Sequence, residues 1–285
     1  MNAILPLRFC RLLVLGAWLF LRPCGASAQL EVVGRDEVPS LFGGGPGTIH
    51  VVVSNRGDIA SSVAARTRLV QTSSATAIPF SETPWKKLSL LPHQSVVDSA
   101  TVAFPAVKAE TRFLLQWLDD TNKVFGTTEV RVFPTNLLAQ LKVLSGGESL
   151  GVFDPANQLQ PLLRLHGIEF QDLVEDGTDK FRGRLAIFGP FASKNQMRES
   201  LAADLRALAK RGVAVLWLQP PSGLRAGLRP SFYTVRVGDG AVVVAQGDLV
   251  SRLAERPEAQ LNLIRLAEMA LHPEPLDLPE TRNSN

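Results

Sequence analysis

Two hydrophobic periods divide the chain. From residue 29 to about 135, apolar and polar positions alternate in short segments separated by turn-forming clusters. The β-branched run Thr48-Ile49-His50-Val51-Val52-Val53 ends in Ser54-Asn55-Arg56-Gly57-Asp58, and further alternating runs fall at 62–72, 86–90, 95–104, 111–118 and 127–133. Asp119-Asp120-Thr121-Asn122-Lys123 reads as a polar hairpin tip between the last two runs. Six or seven strands in about 105 residues with no helical period predict a β-sandwich of immunoglobulin type, with Trp117 as a core aromatic.

After a connection at 136–147 the period changes. Strands are expected at 150–153, 168–174 and 185–188, and a helix at 158–166 stopped by Gly167. Ser193 and Gln196 form a capping box, and Met197, Leu201, Leu205 and Leu208 then share one helical face, closed by Lys210-Arg211-Gly212. The wholly apolar run 213–218 predicts a strand buried on both faces, as in a parallel sheet. Strands at 232–237 and 241–245, joined by Gly238-Asp239-Gly240, precede a helix at 257–271 with Leu263, Ile264, Ala267 and Leu271 on one side. Strands alternating with helices predict an α/β domain, and the tail from 273 to 285 is expected to fray.

Composition changes the picture mainly through the N-terminus. Arg8 and Arg11 precede an apolar run at 12–21, and Ala26-Ser27-Ala28 supplies small residues at cleavage positions, so 1–28 reads as a secretory signal. Ten apolar residues span about 15 Å as a helix, too short to cross a bilayer of roughly 30 Å. Arg8, Arg11 and Arg22 leave with the segment, which equalises basic and acidic residues at 27 each. The basic pI near 9.1 then belongs to the signal, and nucleic acid is not an expected partner. Cys10 and Cys24 leave too, so the mature chain is expected to have no disulfide and no thiolate nucleophile.

The runs TIHVVVSNRGD, LSLLPHQSV and TRFLLQWLDDTNKVFG resemble bacterial Ig-like modules related to cell-adhesion domains. Three further places resemble the class I glutamine amidotransferase-like fold, which has a flavodoxin-like sheet. They are Val152-Phe153-Asp154-Pro155, the helix-Gly-strand unit from Lys210 to Leu218, and Gly238-Asp239-Gly240-Ala241-Val242-Val243-Val244. Together they imply an Ig-like β-sandwich at 29–135, a linker at 136–147, and an α/β flavodoxin-like three-layer domain at 148–272. An active member of the second family carries a cysteine nucleophile after a central strand, with a downstream His–Glu pair. This sequence has neither, so the resemblance implies a degenerate, non-catalytic domain of the kind that accompanies bacterial surface and carbohydrate-active proteins.

Candidate ligand contacts lie where the parallel strands end: Asp154, Gly189, Pro190, Gln219, Ser222 and Gln246, a rim of mostly uncharged polar groups suited to sugars or peptides. Asp154 also reads as a cap for the following turn, and Ser222 sits in a Pro-Pro-Ser-Gly loop without a neighbouring base. His50, His93, His166 and His272 lack metal-ligand spacing, and 43–47 (GGGPG) lacks the Lys-Ser/Thr of a phosphate loop. Asp119, Asp120 and Asn122 lack the rest of a calcium loop, and the acidic run Asp172, Glu175, Asp176 and Asp179 reads as a solvated face. No cofactor or metal is expected. The function expected is an exported, non-catalytic binding or interaction protein of the bacterial envelope whose partner is an envelope or extracellular protein or a glycan. The alternative is a hydrolase acting on glycans or peptides through carboxylates that only the fold brings together.

Overall fold

A computed structural model describes residues 29–36, 38–72, 76–191, 196, 200–219 and 231–273. The alternation after Gly45 folds as a half-buried strand, β3 (Gly45–Asn55), in which Ile49, Val51 and Val53 are buried while Thr48 and His50 face solvent. It joins β1 (Leu30–Gly34), β2 (Ser40–Phe42), β4 (Ser61–Thr72), β5 (Ala77–Leu90), β6 (Ser95–Phe104), β7 (Thr111–Leu118) and β8 (Val124–Phe133).

These strands correct the expected Ig-like sandwich. Such a sandwich has two separate antiparallel sheets packed face to face. Here the strands form one sheet in the order β5-β4-β7-β8-β1-β3-β6, with β2 also on β8. Strand β8 is antiparallel to β7 on one side and parallel to β1 and β2 on the other. Gly126 is the register partner of Val32 at that junction, and a Cβ there would lie 2.6 Å from the Val32 carbonyl oxygen. The missing side chain lets β1 close onto β8. The sheet therefore curls into a half-barrel around Val32, Ile49, Leu69, Phe113, Leu115, Trp117 and Val130.

Its two free edges, β5 and β6, meet through side chains. Trp85 Nε1 donates to the Ser99 carbonyl at 3.1 Å, and Lys86 pairs with Asp98. The Trp85 ring meets Trp117 edge-on at 4.7 Å.

The segment 136–147 is structured. A 3₁₀ turn (Leu137–Ala139) runs into α1 (Gln140–Leu144), and Leu137, Leu138 and Leu141 are buried in the second core. Phe133 of β8 lies in that core and Phe42 of β2 packs against it, so apolar contact joins the two halves.

The second half comprises β9 (Leu150–Phe153), α2 (Gln160–Leu165), β10 (Phe170–Asp172), β11 (Leu185–Phe188), α3 (Leu201–Lys210), β12 (Ala214–Gln219), β13 (Ser231–Val237), β14 (Gly240–Gln246) and α4 (Pro257–Leu271). The sheet order is β10-β9-β11-β12-β14-β13. Five strands are parallel and β13 is antiparallel to β14. Leu163, Leu263, Ile264 and Ala267 pack on one face, and Leu201, Leu205 and Leu208 on the other.

This too departs from the expected doubly wound domain. The connection from β10 to β11 crosses without a helix, and β13 is added at the edge by a hairpin. Strand β10 shrinks from the expected 168–174 to three residues. The expected cap residue Ser193 and face residue Met197 lie outside the described residues. Among the described residues no helix is long and apolar enough to cross a membrane.

Candidate functional site

The chain leaves β9 at Phe153 and turns at Asp154, and the backbone N–H of Asn157 donates to the Asp154 carbonyl at 3.0 Å. The Asp154 side chain turns inward and is 3% exposed. Its Oδ2 accepts the backbone N–H groups of Leu159 at 2.6 Å and Gln160 at 3.0 Å, which fixes the start of α2 from five and six residues upstream. Its Oδ1 is buried and has no partner.

Gln160 extends this arrangement. Its Nε2 donates to Asp172 Oδ2 at 2.8 Å, and its Oε1 accepts from Arg164 at 2.9 Å. Asp172 Oδ1 in turn accepts the Val174 N–H at 2.8 Å. The Arg164 guanidinium lies 5.2 Å from the centroid of the Phe170 ring. These hydrogen bonds tie α2 to the edge strand β10.

Between them opens a cleft of about 830 Å³ lined by Asp154, Gln160, Arg164, Glu169, Phe170, Asp172 and Glu175 among others. Four of those residues are carboxylates and one is a guanidinium, so the cleft is acidic. The uncharged rim expected from sequence is thus divided. Asp154 lines the cleft, while Gly189 and Gln246 do not.

Gly189 has a structural task. Its N–H donates to the Phe153 carbonyl at 2.7 Å, its φ is +100°, and a Cβ would overlap the Leu218 carbonyl oxygen. Gln219 and Gln246 are register partners at the ends of β12 and β14. Ser222 lies outside the described residues.

Four cleft residues, Gln160, Arg164, Glu169 and Phe170, carried no sequence signal, and Asp172 and Glu175 were expected on a solvated face. The usable signal was the parallel pairing of β9 with β10. Asp172 is the register partner of Val152, two residues before Asp154, so adjacent strand ends gather both carboxylates.

Elsewhere the residues are structural. Asp119 Oδ1 accepts the Thr121 N–H, the Thr121 hydroxyl and the Lys123 N–H at 2.7–2.9 Å, making a closed hairpin tip. Slight burial pushes its carboxyl up. The Thr121 hydroxyl, those two N–H groups and the Lys123 charge outweigh that and hold it below the usual value. His93, at φ +58°, lies 3.1 Å from Asp58 on the surface. Among the described residues no three His, Cys, Asp or Glu side chains gather closely enough to hold a metal ion. A larger groove of about 1160 Å³ runs between β2–β3 and α4, with mixed charges from Asp36, Glu255, Glu258, Arg256 and Arg265.

No family model matches the sequence, and no curated protein matches it. Over part of its length the chain is similar to the alkylpurine DNA glycosylase AlkC of Pseudomonas fluorescens bound to DNA containing an abasic site analogue. That match has 10% identity, 38% of this chain, 31% of that one and a TM-score of 0.30. A β-glucosidase from Listeria innocua in complex with glucose matches at 14% identity, over 37% of this chain and 16% of that one, with a TM-score of 0.28. The sporulation control protein of Bacillus subtilis matches at 13% identity, 41% and 56% coverage, and a TM-score of 0.28. The chain spans about a third or less of the length of the first two and just over half of the third, and at these scores the likenesses carry no argument about fold or activity.

Proposed function

We propose that the protein is an exported, non-catalytic binding module of the bacterial envelope whose ligand enters the cleft beside Asp154. The observation that carries this reading is Asp154, whose Oδ1 is buried and unpartnered, lining a polar cleft in which Gln160, Arg164 and Asp172 are already held by hydrogen bonds. An acceptor withdrawn from water without a partner costs free energy that a donor-bearing ligand recovers. Side chains held in place before a ligand arrives suit binding, because those three lose little further freedom when it enters. Export is supported by the Arg8–Arg11 segment, the apolar run after it and Ala26-Ser27-Ala28.

A hydrolase reading draws on the same four carboxylates. It is weaker because Asp172 commits both oxygens to hydrogen bonds and Asp154 commits one to α2, whereas a general acid or base needs free reach to substrate. An amide-resolved NMR titration with a cationic tripeptide and a neutral trisaccharide tests the proposal. Shifts confined to 154–175 with both probes unchanged support it. Shifts elsewhere, or conversion of a probe at a rate abolished by Asp154→Asn, contradict it.

A further inference from the structure

Resting on the cleft as a binding site, the geometry points to a specific ligand chemistry: we infer that it takes an extended organic cation bearing separated ammonium groups, not a neutral sugar. Asp154, Glu169, Asp172 and Glu175 line the cleft against one cation, Arg164. That guanidinium is held by the Gln160 Oε1 and the Phe170 ring and offsets one of the four carboxylates, which leaves the lining a formal excess of three negative charges. Glu169 and Glu175 are exposed, and neither belongs to any of the ion pairs formed among the described residues.

Three further observations narrow the class. The Oδ1 of Asp154, buried and without a partner, is an acceptor in want of an N–H or O–H donor. The carboxylates do not converge as a metal-binding group, so the negative charge is spread along the cleft instead of focused on one small ion. Apart from Arg164, the lining offers acceptors and few donors, which disfavours phosphate or carboxylate ligands by repulsion. Several ammonium groups on a flexible chain fit that distribution, and they occur both in polyamines and in lysine side chains of a peptide.

The test measures equilibrium affinity of the 29–285 chain for spermidine, for the tripeptide Lys-Gly-Lys with blocked ends and for cellotriose. It compares the native sequence with a Glu169→Gln/Glu175→Gln double variant, Asp172→Asn, Asp154→Asn, and a charge-matched control, Glu148→Gln/Glu268→Gln. The two exposed glutamates make no hydrogen bond that holds the fold, so their variant keeps the test valid should Asp172→Asn unfold. The expected result is binding of one or both cations, weakened about tenfold in the double variant and by added salt, and unchanged in the control. The tighter of the two cations distinguishes a polyamine from a peptide source. Cellotriose binding that Asp154→Asn removes, without cation binding, overturns this inference and leaves the binding function standing. Equal cation binding by all variants overturns it as non-specific attraction. Absence of binding by every probe overturns both.

Discussion

The Gln160 amide donates to Asp172 Oδ2 at 2.8 Å, so one side chain at the start of α2 holds the end of the edge strand β10. The same residue gives its backbone N–H to Asp154. Residues 154, 160 and 172, apart in sequence, are thereby locked into one wall of the cleft, and Asp154 is the part on which the others depend. Asp154→Ala leaves two buried N–H groups without their carboxylate acceptor. It is expected to cost about 2 kcal/mol in urea unfolding. Asp154→Asn, which keeps an oxygen acceptor, should lose less than half of that. Equal losses would mean the charge, and not the acceptor, holds α2.

Trp117 Nε1 donates to the Thr128 hydroxyl at 3.0 Å inside the half-barrel, and its ring supports Trp85 at the seam. Trp117→Phe removes the donor, strands the buried hydroxyl and leaves a void. A loss of about 2–3 kcal/mol is expected in chemical denaturation, together with a changed fluorescence of Trp85 as the β5–β6 seam loosens.

Asp119 supplies the pH dependence. Its folded pKa lies below its unfolded value, so its contribution is complete above about pH 4 and disappears as pH falls through the folded value. The protection of the Thr121 and Lys123 amides against exchange, relative to their intrinsic rates at each pH, should therefore fall selectively in acid. In Asp119→Asn the same amides should exchange quickly at neutral pH, with no further acid step.

Gly189 sits at φ +100° against the Leu218 carbonyl. Gly189→Ala should lower stability by about 2–3 kcal/mol through the strained backbone and the overlap, read from the thermal midpoint, even though the cleft lies elsewhere.

The local elements were more legible in the sequence than their assembly. Apolar alternation located β3, β6 and β7, and the final helix at 257–271 matches α4 residue for residue. Strand pairing was less accessible, because the same in-out alternation serves a two-sheet sandwich and a single curled sheet. The decisive difference is the parallel contact of Val32 with Gly126, which joins residues far apart in sequence. The acidic cleft was half legible for a related reason. Asp154 stood out at a strand end, but Asp172 reached it only through the pairing of a three-residue strand too short to leave a periodic signature. Gln160 gave no warning, since an amide in a helix's first turn ordinarily faces water.

The most direct measurement is hydrogen–deuterium exchange of the 29–285 chain, resolved at Leu159, Gln160 and Val174, with and without saturating Lys-Gly-Lys. These amides donate to Asp154 and Asp172, so a ligand seated in the cleft should slow all three while leaving the half-barrel amides unchanged. Slowed exchange confined to the groove between β2–β3 and α4, or no change at any amide, would contradict the cleft as the binding site.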